Sequence, residues 1–218
     1  MNRPSPGPLA EALAGAPILG IVRTDEPGVS DLVVDALVQG GIRAVEISLT
    51  SLDALGGLVR ALDKIGDGAL VGIGTVRTGN DADQAIAGGA RFLVSPNLSG
   101  DVLSIAHDAG VPVVCGVLTP TEIQRAIDLG AEWLKIFPAA SFGPDYIAHL
   151  SAPFPDVAFV PTGGIRVSDV AAYRSAGAAA VGLAGSLARS EQVKARQWSA
   201  ISSTARAALE AWAGGDSE

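Results

Sequence analysis

Residues 112–138 begin Pro112-Val113-Val114-Cys115-Gly116-Val117-Leu118 and continue with Thr119-Pro120-Thr121-Glu122 and Ile123 to Leu129. They end, after Gly130, with Trp133-Leu134-Lys135-Ile136-Phe137-Pro138. The two apolar runs are too short for lone helices and rich in β-formers. Between them, Thr119 is a candidate helix N-cap with proline at the first helical position, and Gly130 offers a left-handed stop. The unit reads strand, helix, strand. Its strands are apolar throughout rather than alternating, which is the pattern of parallel strands covered on both faces.

The same cadence runs outward in both directions. Ile18 to Arg23, Ala44 to Thr50, Leu70 to Val76 and Phe92 to Asn97 precede the unit; Ala158 to Ile165 and Ala180 to Gly185 follow it. Eight strand candidates recur roughly 23 residues apart, alternating with helical segments. Those segments stop at Gly40-Gly41, Gly88-Gly89, Gly110, Gly130 and Gly177, and Ser168-Asp169 is a further capping candidate. An open doubly wound sheet and a closed barrel both satisfy this order. Eight near-even units in about 200 residues favour the α/β (β/α)8 TIM barrel, as a single domain. Residues 9–213 form that domain; 1–8, with three prolines, read as a loose leader and 214–218 as a frayed tail.

Composition narrows the function. Hydrophobic residues make up 48% and charged residues 17%, as in a compact globular chain, and the net charge of −8 argues against a nucleic-acid partner. An anionic ligand would need local help from backbone N–H groups or a placed arginine. Cys115, the single cysteine, allows no internal disulfide, which fits a reducing cytoplasm, and it reads as core. The apolar stretch Leu9 to Val22 is broken by Glu11 and Pro17, so it is not a signal peptide. No stretch approaches the roughly 20 apolar residues of a membrane span. His107 and His149 fall on helices, and no ligand spacing for a metal is visible.

Lys135 stands out. The chain has three lysines, and Lys64 and Lys194 fall on polar faces of surface helices, whereas Lys135 interrupts an apolar strand. An ammonium group in a dry strand is costly unless paired, neutralised or used chemically. Enzymes that form imines with keto substrates use such a lysine, because desolvation frees the amine lone pair. Glu46 is the other charged residue inside a strand candidate. The two come from different strands and can share one barrel mouth; a buried Glu–Lys ion pair is the non-catalytic account of both.

Other polar residues mark the strand ends, where such barrels place their sites. Arg23 ends the first, Thr75 the third, Pro96 and Asn97 the fourth, and Thr162-Gly163-Gly164 the seventh; Gly185-Ser186 follows the eighth. Glycine-bearing loops after strands seven and eight suit phosphate, held by backbone N–H groups. Gly72-Ile73-Gly74-Thr75 lacks the spacing of a dinucleotide fingerprint.

With these residues assembled, the chain resembles the class I aldolases acting on 2-keto-3-deoxy-6-phosphogluconate and 4-hydroxy-2-oxoglutarate. The likeness runs from about Pro17 to Ala188. Its most specific pieces are Val45-Glu46-Ile47, Gly72-Ile73-Gly74-Thr75-Val76, Ser95-Pro96-Asn97, Leu134-Lys135-Ile136-Phe137-Pro138 and Pro161-Thr162-Gly163-Gly164-Ile165. The resemblance implies Lys135 as the Schiff-base lysine and Glu46 as general acid/base. Thr75, together with Thr162, would hold the pyruvyl carboxylate, and Gly163, Gly164, Gly185 and Ser186 the phosphate. Phe137 would line the pocket beside the lysine, and Arg23, Thr50 and Pro96 complete the substrate-contacting set. No cofactor or metal is implied, and the family is typically trimeric.

One departure matters. Many gluconate-type members carry arginine where Thr50 stands. The sister enzymes for 2-keto-3-deoxy-6-phosphogalactonate usually have a small polar residue there, an arginine matching Arg23, and a segment like Phe142-Gly143-Pro144-Asp145-Tyr146. Pro161-Thr162-Gly163-Gly164 leans toward the gluconate type, so the epimer is open. The expected products are pyruvate and D-glyceraldehyde 3-phosphate, or pyruvate and glyoxylate from 4-hydroxy-2-oxoglutarate. Two rivals keep the phosphate loops: an isomerase or synthase without imine chemistry, and a non-catalytic sugar-phosphate binder.

Overall fold

The computed structural model describes residues 7–214; the expected leader, apart from its last two residues, and the tail beyond Gly214 lie outside them. The first helix, α1 (Pro8–Gly15), begins one residue before the expected domain boundary. The strands are β1 (Ile18–Val22), β2 (Ala44–Ser48), β3 (Leu70–Gly74), β4 (Leu93–Val94), β5 (Val113–Val117), β6 (Trp133–Ile136), β7 (Ala158–Pro161) and β8 (Val181–Leu183). Between them lie α2 (Ser30–Gln39), α3 (Ala54–Ile65), α4 (Gly79–Ala87), α5 (Gly100–Asp108), α6 (Pro120–Asp128), α7 (Pro144–Ser151) and α8 (Val170–Ser175). After β8 come the short α9 (Ser190–Lys194) and the long α10 (Trp198–Ala213).

All eight strands are parallel, in the order β7-β6-β5-β4-β3-β2-β1-β8. A single parallel bridge from Thr162 to Gly182 joins the two ends, so the sheet closes on itself as a (β/α)8 barrel. A side chain on Gly182 would collide with Thr162, which is why that seam needs a glycine.

The 112–138 unit behaves as its residues dictate. Thr119 caps α6 in a reciprocal box, its hydroxyl accepting from Glu122 N–H while the Glu122 carboxylate accepts from Thr119 N–H. Gly130 ends the turn at φ 81°. The cap expected at Ser168 is built differently: a 3-10 turn (Val167–Asp169) precedes α8, and the Asp169 carboxylate accepts from Arg166 N–H.

Alternation along the strands separates two packing surfaces. Val45, Ile47, Val71, Ile73, Leu93, Cys115, Leu134, Ile136 and Phe159 face outward and pack with the helices. Leu19, Ala44, Phe92, Val94, Val114, Trp133, Ala158 and Val160 fill the lumen, where Leu9 and Leu13 of α1 plug its N-terminal end. α10 closes the outer ring against α2, where Ser202 donates to the Ala36 carbonyl (2.8 Å) and Gly40 leaves room for Ala205. Among the described residues no helix is long and apolar enough to cross a membrane.

Candidate active site

Two steps up β2 from Ala44 come Glu46 and then Ser48, on the same inward face; two steps up β6 from Trp133 comes Lys135. Glu46 and Lys135 are the charged residues of the eight strands, and both are buried, at 1% and 7% exposure. Neighbouring glycines make room for them. A side chain at Gly74 would fall on the Glu46 carboxylate, and Gly116, the register partner of Lys135, admits the backbone of Pro96 and Asn97. Lys64 pairs with Asp35 on the surface (2.7 Å) and Lys194 is exposed, as their polar faces require.

Glu46 and Lys135 do not form the simple ion pair that would explain both. Among the described residues, the side-chain ion pairs within 4.0 Å lie elsewhere, on the outer helices and loops. The Glu46 carboxyl is pushed above its ordinary 4.5 by burial, while the positive charges of Lys135 and Arg23 pull in the opposite direction. Its Oε2 is buried with no hydrogen-bond partner. Such an orphan in a satisfied interior is a natural acceptor for a ligand hydroxyl. Arg23 itself is exposed, one residue past β1, so it reaches Glu46 only through its field.

Lys135 Nζ lies 5.3 Å from the centre of the Phe137 ring, which is 42% exposed and packs against Gly163. The Phe137–Pro138 peptide is cis. Ala139 N–H donates to Thr162 O (2.8 Å) and Ala140 N–H to Gly163 O (3.1 Å), so the loops after β6 and β7 are tied together. Gly163 and Gly164 have φ of 97° and 77°, conformations open to glycine, and a side chain on Gly164 would meet Ala140.

Thr75 and Thr162 part company. Thr75 closes β3 at φ 63°, a left-handed conformation rare for a β-branched residue and costing about 1–3 kcal/mol. Its hydroxyl lies 2.8 Å from that of Ser48, which is 2.7 Å from that of Thr50. Thr162 is buried and donates its hydroxyl to the Val160 carbonyl (3.1 Å), so its proton is already engaged. Thr75 differs: in its hydroxyl contact with Ser48 either oxygen can be the donor, so its proton can turn to an anion.

After β8, Gly185 is exposed, and the Ser186 hydroxyl oxygen is buried without a partner. Ser186 and Gly164 line a groove of about 690 Å³ together with Arg166, Arg189, Ser203 and Thr204. The sequence reading omitted Ser48, Arg166 and Arg189. Ser48 sits two residues beyond Glu46, on the same inward face of β2. Cys115, with its thiol pushed up to about 11 by burial, is core as expected. Among the described residues, His, Cys, Asp and Glu form no group able to hold a metal ion.

This layout is that of a carbonyl-active barrel enzyme: a buried amine, a buried carboxyl across the mouth and glycine-lined loops at the adjoining rim. Residues 9–204 match the family described as "Aldolase: KDPG and KHG aldolase". The chain is 36% identical over 177 residues to the 2-dehydro-3-deoxy-6-phosphogalactonate aldolase of Escherichia coli strain K12, covering 81% of this chain and 86% of that protein. It is 34% identical over 180 residues to the 2-dehydro-3-deoxy-phosphogluconate aldolase of Pseudoalteromonas atlantica, covering 82% and 83%. Its fold superposes, with a TM-score of 0.83 at 28% identity, on KDPG aldolase from Legionella pneumophila with pyruvate captured as a covalent carbinolamine intermediate, covering 94% and 98%. The chain belongs to the KDPG and KHG aldolase family, and it is a class I aldolase, a carbon–carbon lyase.

Proposed function

We propose that the chain cleaves a 2-keto-3-deoxy-6-phospho sugar acid reversibly to pyruvate and D-glyceraldehyde 3-phosphate, through an imine on Lys135. The observation that carries this reading is the pair of buried charges: Lys135 and Glu46 rise from the lumen's apolar floor to the same mouth without contacting each other.

The Lys135 amine attacks the C2 ketone to give a carbinolamine, and loss of water leaves a protonated imine. The imine nitrogen then accepts the C3–C4 bonding electrons as the C4 hydroxyl proton passes to the Glu46 carboxylate. The aldehyde departs, Glu46 returns a proton to C3 of the enamine, and water releases pyruvate. A carboxyl pushed up by burial suits a group that must give and take protons near neutral pH. Thr75 holds the substrate carboxylate, and Phe137 covers the lysine. The loops of Gly163, Gly164, Gly185 and Ser186 take the phosphate and fix C4 relative to the imine. Arg189, beside those loops, supplies the positive field that a chain of net charge −8 otherwise lacks, whereas Arg166 is paired with Asp169 (2.9 Å).

Relatives of both epimer types match to nearly the same degree, at 36% and 34% identity; Thr50 and Arg23 resemble the galactonate type and Pro161-Thr162-Gly163-Gly164 the gluconate type, so the proposal covers both epimers. A pyruvate-release assay with the two phosphorylated epimers and 4-hydroxy-2-oxoglutarate tests this. Turnover of a phosphorylated epimer is expected; release from none of the three would overturn the proposal. A cytoplasmic homotrimer completes it, and light scattering on the purified chain checks the subunit number.

A further inference from the structure

Ser48 is fully buried, and its hydroxyl stands between those of Thr50 (2.7 Å) and Thr75 (2.8 Å), while Thr50 N–H donates to it at 3.3 Å. A serine oxygen has one proton to give and two lone pairs to receive with. Thr50 N–H takes one lone pair, so Ser48 accepts from one threonine hydroxyl and donates to the other. The three hydroxyls therefore form a line with two protons used internally and one left free at an end. Either Thr75 keeps the outward proton, with Thr50 donating to Ser48 and Ser48 to Thr75, or the line reverses and Thr50 keeps it.

We infer that Ser48 is a positioning residue that turns the Thr75 hydroxyl outward as a hydrogen-bond donor to the substrate carboxylate, so that Thr50 and Thr75 cannot both donate at once. The inference rests on the proposed reading that Thr75 receives that carboxylate. An anion beside Thr75 selects the first arrangement, because it needs a donor and Ser48 then supplies the proton that occupies the Thr75 lone pair. The strained backbone at Thr75 fits the same account: its left-handed φ accompanies a hydroxyl set within reach of the buried serine rather than of its own strand. The line reverses without moving a heavy atom, so Thr75 presents a donor to a carboxylate or an acceptor to a hydroxyl by rotation of the hydroxyl protons alone.

The test is a double-mutant cycle on the full chain, with Ser48→Ala, Thr75→Val and the double variant, each confirmed folded by circular dichroism. The readout is the pyruvate concentration that half-saturates borohydride trapping of the imine, alongside kcat and KM for cleavage. Ser48→Ala is expected to raise the half-saturating concentration about ten-fold, with kcat changed by less than about three-fold. In the Thr75→Val background the Ser48 substitution should have no further effect, because its action passes through Thr75. Ser48→Thr, which keeps the hydroxyl, should restore the half-saturating concentration. Ser48→Cys, a poor donor of similar shape, should shift it in the same direction as Ser48→Ala and serves if the alanine variant does not fold. Equal costs of Ser48→Ala in both backgrounds would overturn the inference and make Ser48 a packing residue. A Thr75→Val variant that binds pyruvate like the parent would instead remove Thr75 from the carboxylate site, which is a failure of the underlying reading.

Discussion

The two ends of the barrel lumen are built from the same strands and the same inward positions, yet they differ in kind. At the floor, Leu19, Ala44, Phe92, Val94, Val114, Trp133, Ala158 and Val160 meet Leu9 and Leu13 of α1 in a dry apolar plug. Two residues further along, Ala44 gives way to Glu46, with Ser48 two beyond that, Trp133 to Lys135, and Val160 to Thr162. One pleat repeat separates a layer that contributes stability from a layer that carries an unpartnered carboxylate oxygen and a strained threonine. Burial at the floor stabilises the fold; burial at the mouth costs stability and tunes chemistry. The division of labour matches the rule that such barrels work at the C-terminal ends of their strands.

Substitutions at the two ends should therefore fail in different ways. The largest effect is expected from Lys135→Met, which abolishes turnover and imine trapping while the denaturation midpoint holds or rises, because a buried charge has gone. Activity in that variant above about 1% of the parent would contradict the assignment. Glu46→Gln should lower kcat about 10²–10⁴-fold while leaving some trappable imine.

The same Glu46 variant reports on the cost of the mouth. A carboxyl pushed above 4.5 binds more protons folded than unfolded, so it contributes stability fully below the unfolded value. That contribution is lost as pH rises from the unfolded value through the raised folded one. Relative to the parent, Glu46→Gln should gain stability across that window, and urea melts between pH 4 and 8 check it. A difference that is flat with pH would mean the Glu46 carboxyl is not raised.

At the floor, Leu13→Ala should cost about 2–5 kcal/mol of stability, with kcat per folded molecule within about two-fold of the parent. A large kcat loss there, in folded protein, would show that the two ends are coupled. The smallest effect belongs to the rim. Arg189→Gln should raise KM for the phosphorylated substrate about two- to five-fold, the scale of an exposed charge, without shifting pyruvate trapping.

Much of this division was legible from residues alone. The eight-fold cadence and the two charges inside apolar strands pointed to the barrel and to both ends of its chemistry. The strand limits were less accurate, for reasons the residues explain. Phe92 to Asn97 shortens to Leu93–Val94 because Pro96 cannot donate to a ladder and the loop instead folds over Gly116. Ala158 to Ile165 stops at Pro161 because Gly163 and Gly164 leave the extended region. Thr75 and Thr162 both end strands in the sequence; the Thr162 bond to the Val160 carbonyl and the left-handed backbone of Thr75 beside Ser48 separate them. Ser48 escaped notice because a small hydroxyl in a strand is unremarkable until its partner, 27 residues away, is placed beside it.

The central claim is that the buried amine at the mouth is the nucleophile, and the most direct test is to trap it. The folded chain, incubated with pyruvate and borohydride, should yield one pyruvate-derived adduct by intact mass, on the peptide that contains Lys135. Three lysines make the assignment unambiguous. An adduct confined to Lys64 or Lys194, or no adduct in a folded sample, would contradict the account.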